Sequence, residues 1–251
     1  MNASVWRAQI DALSADYDVV AYDMLGHGGS RLPPADPRLS DYAGQLLALV
    51  DGLDLAAFHV VGHSMGALVS LEFALAHPER VRSVVALNAV YCRTPEQKAA
   101  VLHRASALEA PEPSDSPEAT IARWFGDPVP SSLAAEAEMV RRLLLSVDRA
   151  GYSRTYRLFA KSDEVHRGKL ERLSVPALFM TGELDPNSTP AMSRAMSAAA
   201  RNGRCEIIPG ARHMMTVTAP QEVNRRLRAF LSSVGRVPLS DHDGAVRRES
   251  R

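Results

Sequence analysis

The fold of this chain is decided by one short stretch, Val60-Val61-Gly62-His63-Ser64-Met65-Gly66. The residues from Phe58 to Val61 predict a short β-branched strand, and those from Met65 to His77 predict a helix. A Gly-x-Ser-x-Gly turn between a strand and a helix holds its serine in a strained conformation, with the hydroxyl presented at the end of the sheet. Ser64 is therefore the first candidate nucleophile.

Strands and helices alternate on both sides of this stretch. Tyr17–Tyr22 and Val81–Leu87 are predicted to be buried strands, and Asp41–Leu53 has the apolar spacing of an amphipathic helix. Further along the chain, strands are predicted at Val175–Met180 and Cys205–Ile208, and a helix follows each of them. This alternation predicts an α/β fold, a doubly wound and mostly parallel sheet with helices on both faces.

The alternation is interrupted in the middle of the chain. Thr94–Lys161 is predicted to be helical, with a Pro/Glu/Ser-rich break at Glu109–Glu118. A helical insertion in a parallel frame is expected to cap the C-terminal edge of the sheet, where such folds bind ligands. The predicted organisation is an α/β core at residues 1–89 and 166–234, a helical cap at residues 90–165 and a disordered tail at residues 235–251.

Composition excludes several classes of function. The chain has 251 residues, of which 46% are hydrophobic, and its 29 Lys and Arg residues balance 29 Asp and Glu residues. This balance argues against a nucleic-acid partner, and no apolar run is long enough for a membrane span. Cys92 and Cys205 form neither a disulfide framework nor a metal-binding pattern. We therefore expect a cytoplasmic protein that acts on a small molecule, with no metal and no cofactor.

Two downstream loops carry the groups that could activate a serine. A serine hydroxyl needs a base to take its proton, and a carboxylate to orient that base. Asp185 follows the predicted strand at 175–180, and His213 follows the next predicted strand, 28 residues later. Both loops are expected at the same edge of the sheet as Ser64. Glu183 is the alternative acid, whereas Asn88, after the intervening strand, has no carboxylate.

Together these motifs resemble the α/β-hydrolase superfamily. The resemblance is carried by Asp23 with Gly26–Ser30, then by Gly62–Gly66, Asp185 and Gly210–His213. It covers nearly the whole predicted core, and it implies an α/β-hydrolase fold with a helical cap. The run from Asp185 to Pro190 is similar to the acid loop of enol-lactonase-like and carboxylesterase-like members.

The resemblance implies roles for individual residues. Ser64 would be the nucleophile, His213 the base and Asp185 its orienting acid, and the backbone N–H of Met65 would be one donor of the oxyanion hole. The implied activity is that of a serine hydrolase (EC 3) that cleaves an ester, lactone or amide bond of a small organic molecule. Perhydrolysis and carbon–carbon bond cleavage with the same triad are alternatives, as is a non-catalytic binding or remnant protein.

The N-terminal part of the chain departs from the family pattern. In the superfamily, a strand ending in a His-Gly-type loop lies between the strands that correspond to Tyr17–Tyr22 and Phe58–Val61, and this loop supplies the second oxyanion donor. Here Asn2–Trp6 resembles the end of that loop. The first three strands are therefore expected to be missing, and the sequence is interpreted as a truncated form of the enzyme.

The second half of the predicted cap is basic. Six Arg or Lys residues and one acid lie between Met139 and Lys161. A solvated helix face is the ordinary interpretation of such a pattern. The alternative hypothesis is that arginines of this helix, together with tyrosines, line the substrate pocket and bind a carboxylate. The candidate residues are Arg154 or Arg157 with Tyr152 or Tyr156.

Overall fold

The computed structural model describes residues 1–109 and 116–234. Its sheet has four parallel strands, which lie side by side in the order β1-β2-β3-β4. The predicted strands after residue 57 are all present, with small differences at their ends. The strands are β1 (Phe58–His63), β2 (Val81–Leu87), β3 (Ala177–Gly182) and β4 (Gly203–Ile208).

Helices precede, separate and follow these strands. Short 3-10 turns lie at Ala3–Trp6, Pro78–Arg80, Ser131–Leu133 and Leu170–Arg172. The α-helices in the described part of the chain are α1 (Arg7–Leu13), α2 (Leu39–Gly52), α3 (Met65–Ala76), α4 (Pro95–Glu109), α5 (Pro117–Phe125), α6 (Ala134–Leu145), α7 (Arg149–Lys161), α8 (Pro190–Ala199), α9 (Met215–Thr218) and α10 (Pro220–Ser233). None of them combines the length and the hydropathy that a membrane span requires.

Both faces of the sheet are buried, which explains why the strands are apolar without alternation. In β2, Val84 and Ala86 belong to the core that α2, α3 and α8 cover. Val85 and Leu87, on the opposite face, belong to a second core with α10 and the end of α1. The predicted architecture, a parallel sheet with helices on both faces, is thus confirmed.

The strand predicted at Tyr17–Tyr22 is wrong. This segment forms no sheet pairing, none of its residues is buried, and Val20 is 52% exposed. β1 pairs with β2 on one side, and on its other side Tyr17–Tyr22 and β1 line a common cavity. An apolar run becomes a strand only when a neighbouring backbone supplies the ladder hydrogen bonds, and this segment has no such neighbour.

Helices α4 to α7 lie between β2 and β3 in the chain, as predicted for the cap. Two of them, α5 and α6, share a small core of their own around Trp124, Phe125 and Val140. α7 instead joins the main core through Phe159 and Ala160. The division into core and cap stays a prediction. Residues 110–115 of the predicted break and the predicted tail at residues 235–251 lie outside the described residues.

Candidate active site

Ser64 lies in a strained turn between β1 and α3. Its backbone has φ of 56° and ψ of −114°, a conformation that is unfavourable for a residue with a Cβ. The turn depends on Gly62, where an added Cβ would lie 2.0 Å from the carbonyl oxygen of Gly66. Gly66 itself is different, since its Cβ would meet only the sulfur of Met24, at 3.9 Å. A side chain is therefore excluded by sterics at Gly62 but not at Gly66.

The structure brings Ser64, His213 and Asp185 into one hydrogen-bonded chain. Ser64 Oγ lies 3.1 Å from His213 Nε2, and His213 Nδ1 lies 2.8 Å from Asp185 Oδ2. His213 and Asp185 are both buried, at 3% exposure each. Because the carboxylate can only accept, Nδ1 carries the proton in this arrangement and Nε2 faces the hydroxyl as an acceptor. This is the geometry that removes a proton from a serine.

Asp185 is held in place by hydrogen bonds from Asn88 and Asn187 as well as by His213. Asn88 Nδ2 donates to Asp185 Oδ2 at 2.7 Å, and the backbone N–H of Asn187 donates to Oδ1 at 2.8 Å. Burial raises the pKa of the Asp185 carboxyl, but the charge of His213 and these hydrogen bonds outweigh it, so the net pKa lies below the usual value. Asp185 is therefore ionised at neutral pH and orients His213.

The alternative acid lies elsewhere. Glu183 Oε2 accepts the backbone N–H of Gly210 at 2.9 Å, in an exposed position. This contact ties together the two loops that carry Asp185 and His213. The carboxylate of Glu183 is thus used at the surface, whereas that of Asp185 faces the imidazole.

Met65 is the first residue of α3 and directly follows Ser64. Backbone N–H groups in the first turn of a helix have no acceptor within the helix, and the helix dipole adds a partial positive charge there. The N–H of Met65 is consequently available to an anion that forms beside Ser64.

Ser64 and His213 of this hydrogen-bonded chain line a cavity of about 850 Å³. This volume lies in the range of ordinary small-molecule sites. Its lining residues come from β1, the segment around Tyr17–Tyr22 and helices α1, α5, α7 and α10. Ser64 and His213 are both among the lining residues, so a small molecule bound beside them would contact both side chains.

Comparison with known proteins agrees with this geometry. A family model described as the alpha/beta hydrolase fold matches residues 1–220. The chain belongs to the α/β-hydrolase family. The match covers most of the chain, including all four strands and the loops that carry Ser64, Asp185 and His213.

The relatives of this α/β hydrolase are hydrolases. It is 36% identical to (E)-2-((N-methylformamido)methylene)succinate hydrolase of Acinetobacter baylyi, over 93% of this chain and 87% of the relative. It is 29% identical to 3-oxoadipate enol-lactonase 1 of the same organism, over 92% of this chain and 84% of the relative. Among solved structures, the enol-lactonase of Burkholderia xenovorans superposes with a TM-score of 0.83 at 26% identity, covering 92% of this chain and 87% of that one. The chain is accordingly an enzyme of the hydrolase class with a small-molecule substrate.

Two further side chains of the hydrolase contact His213. His63 Nε2 donates to the backbone carbonyl oxygen of His213 at 2.8 Å, and the two rings lie 5.0 Å apart. Burial, with the nearby charge of His213, lowers the pKa of His63 to about 4, so it stays neutral. On another side, the indole of Trp124 lies 5.3 Å from the His213 ring. These contacts fix the loop of His213 and shield the imidazole from water.

The residues predicted to bind the substrate do not all line the cavity. Tyr156 lines the cavity, although its hydroxyl already accepts a hydrogen bond from Arg104 at 3.1 Å. Arg154 donates to the carbonyl oxygen of Pro33 at 2.7 Å, and Arg157 pairs with Glu109 at 2.6 Å. The structure thus brings Tyr156 to the cavity but not these two arginines. Their side chains instead tie α7 to neighbouring segments.

Sequence reasoning missed Asn88, His63 and Trp124. Asn88 has a signal, because an asparagine directly after a predicted buried strand favours a left-handed turn, and the structure has it there at φ of 51°. His63 lies inside the serine motif, and its proximity to the predicted base could have been inferred from it. Trp124 has no such signal, since nothing in the sequence indicates which helix of the cap reaches His213.

Proposed function

We propose that this enzyme is a serine hydrolase that cleaves an ester, lactone or amide bond through an acyl-enzyme on Ser64. The observation that carries the proposal is the continuous hydrogen-bonded chain from Ser64 Oγ through His213 to Asp185. A serine at the end of a sheet, with a base and an orienting acid in reach, is poised for nucleophilic attack on a carbonyl carbon.

In the first half of the reaction, Ser64 Oγ attacks the carbonyl carbon while His213 Nε2 takes the hydroxyl proton. The carbonyl π pair moves to oxygen, and the N–H of Met65 donates to the resulting oxyanion. Loss of one such donor costs about 2.7–4 kcal/mol of transition-state stabilisation. His213 then gives its proton to the leaving group as the scissile bond breaks. Asp185 stays ionised throughout and stabilises the imidazolium.

In the second half, a water molecule attacks the acyl carbon of the ester on Ser64. His213 Nε2 takes a proton from the water and returns it to Ser64 Oγ as the carbon–oxygen bond breaks. The products are the acid and the regenerated serine, so atoms and protons balance without a cofactor.

The substrate is proposed to be a small organic acid. Two relatives support this class, because their names contain succinate and 3-oxoadipate, which are dicarboxylates. The cavity has a suitable volume, about 850 Å³. The free thiols of Cys92 and Cys205 support the expectation of a reducing, cytoplasmic location, which remains part of the proposal.

A fluorophosphonate probe tests the proposal. Wild-type protein should be labelled, and Ser64→Ala should abolish the labelling, with Ser197→Ala on α8 as the matched control that keeps it. Hydrolysis of p-nitrophenyl esters should follow the same pattern. A folded wild-type sample that neither reacts with the probe nor hydrolyses the esters would favour the non-catalytic alternative.

A further inference from the structure

His27 is a buried side chain that lines the cavity, and the proposed mechanism does not use it. It belongs to the glycine-rich loop Gly26–Ser30. Met24, three residues before His27, lies beside the serine turn, because its sulfur is 3.9 Å from the position that a Cβ on Gly66 would take. The loop that carries His27 is therefore next to the turn of Ser64.

The same loop packs against α7. A Cβ added at Gly26 would lie 2.7 Å from the Cα of Gly151, so the two backbones are in direct contact. The ring of Tyr152, the next residue of α7, lies 6.3 Å from the ring of His27 in an edge-to-face arrangement, and both residues line the cavity. These contacts limit the positions that the imidazole can adopt, so less freedom is lost when it binds a ligand.

The hydrogen bond of His27 determines which of its ring nitrogens carries the proton. Nδ1 lies 3.1 Å from the carbonyl oxygen of Leu25, and a carbonyl oxygen only accepts, so Nδ1 is the donor. Burial, with the charge of the nearby N-terminal amine, lowers the pKa of His27 to about 4, so the ring is neutral at neutral pH. Nε2 then holds a lone pair, and no residue in the described part of the chain donates a hydrogen bond to it. His27 thus offers the cavity a neutral hydrogen-bond acceptor.

We propose that His27 Nε2 accepts a hydrogen bond from an O–H or N–H group of the substrate and so favours substrates that carry such a donor. This inference rests on the proposed serine-hydrolase function and names a specificity residue for it. A substrate with a donor at this position satisfies both groups, whereas one with a methylene there leaves the buried nitrogen without a partner. The substrate class is therefore a hydroxy- or amido-substituted derivative of a small organic acid.

The test compares substrates that differ by one donor group. The first pair is p-nitrophenyl N-acetylglycinate and p-nitrophenyl levulinate, in which a methylene replaces the N–H. The second pair, p-nitrophenyl lactate and p-nitrophenyl propionate, differs by a hydroxyl. The measured quantity is the ratio of the two kcat/KM values, donor over non-donor. His27→Phe keeps an aromatic ring without the acceptor and should lower this ratio about 5- to 30-fold in at least one pair, because the donor then enters the cavity without a partner. His27→Gln, which has an amide oxygen as acceptor, should lower it less.

His59→Phe is the matched control. His59 lines the same cavity, but it is the second residue of β1 and lies roughly 16 Å of strand away from Ser64. The same substitution there should leave both ratios unchanged.

Each variant is first treated with the fluorophosphonate probe, which reports a folded site without using any of the esters. Ratios that stay constant in His27→Phe for both pairs, or that fall equally in His59→Phe, overturn the assignment while leaving the hydrolase function intact. If His27→Phe does not fold, His27→Met, which also lacks a ring nitrogen, decides, and constant ratios there overturn it as well. Wild-type protein that the probe does not label at Ser64 refutes the proposed function, and the inference about His27 with it.

Discussion

Replacement of Asn88 should weaken the fold and the catalytic chain together. Asn88 is fully buried, and its Nδ2 donates to Asp185 Oδ2 at 2.7 Å and to Thr181 Oγ1 at 3.2 Å. A hydrogen bond to a charged group contributes about 1.5–3 kcal/mol. Loss of the side chain leaves Asp185 buried with fewer donors, which raises its pKa because the Asn88 bond lowers it. Both effects remove support from His213.

The backbone of Asn88 makes two substitutions informative. At φ of 51°, alanine is strained by about 1–2 kcal/mol, whereas glycine is not. Glycine in turn loses about 0.5–1 kcal/mol through the greater freedom of the unfolded chain. Asn88→Ala should therefore cost about 2.5–5 kcal/mol of unfolding free energy, and Asn88→Gly should cost about 0.5–1 kcal/mol less. This order is the reverse of that at an ordinary buried site.

Urea unfolding of the two variants and the wild type measures these differences, and p-nitrophenyl ester hydrolysis measures activity. Both variants lack the same bond to Asp185, so kcat/KM should fall by a similar factor in each, about tenfold for 1.4 kcal/mol. The reasoning about the backbone is refuted if Asn88→Ala is as stable as Asn88→Gly. The reasoning about the hydrogen bond is refuted if Asn88→Gly matches the wild type in both stability and activity.

Two further predictions concern the serine motif. Gly62→Ala places a Cβ 2.0 Å from the Gly66 carbonyl oxygen and should lower the free energy of unfolding in urea by at least about 3 kcal/mol. Gly66→Ala makes only an ordinary contact and should cost little. Equal losses in the two variants would contradict the steric argument. The pKa of His63 is about 4 in the folded state and about 6.5 in the unfolded chain, so the unfolded state binds the proton better and stability falls as pH decreases from 6.5 towards 4. His63→Gln should lose about 2–2.5 kcal/mol less than the wild type between pH 7 and pH 4.5, and parallel unfolding curves would reject this cause.

The sequence predicted those features that depend on local chemistry. A strand, a glycine and a helix are enough to predict the turn of Ser64, because the backbone conformation there leaves few alternatives. β2 and β3 could be predicted from composition, since a strand covered on both faces must be apolar throughout. Tyr17–Tyr22 resembles such a strand in composition, but no neighbouring strand pairs with it. Composition alone cannot show that a partner strand is missing. Strand formation is a property of two chain segments, whereas a turn belongs to one.

The cap illustrates the same limit for binding residues. Nothing in the sequence distinguishes Arg123 on α5 from Arg154 and Arg157 on α7 as a candidate for lining the cavity. Which of them lines the cavity depends on how the helices pack, and α5 and α7 pack into different clusters, around Trp124 and Phe159 respectively. Pattern analysis placed the carboxylate-binding arginine on α7, at Arg154 or Arg157, whereas the arginine of these three that lines the cavity is Arg123 on α5.

The sheet itself fixes the relative positions of Ser64, Asp185 and His213. This explains why Asp185 and His213 could be predicted as partners of Ser64 although they are far from it in the sequence. The parallel ladder continues one residue beyond the strands into the catalytic loops. Ser64 N–H donates to Leu87 O at 2.8 Å, Asn88 N–H to Met180 O at 2.8 Å and Glu183 N–H to Ile208 O at 2.9 Å. Each loop that bears a member of the chain is thus pinned to its neighbour by a main-chain hydrogen bond, independent of side-chain identity. The segment Tyr17–Tyr22 lines the cavity without such a ladder, so changes in it would alter the shape of the cavity without displacing these loops.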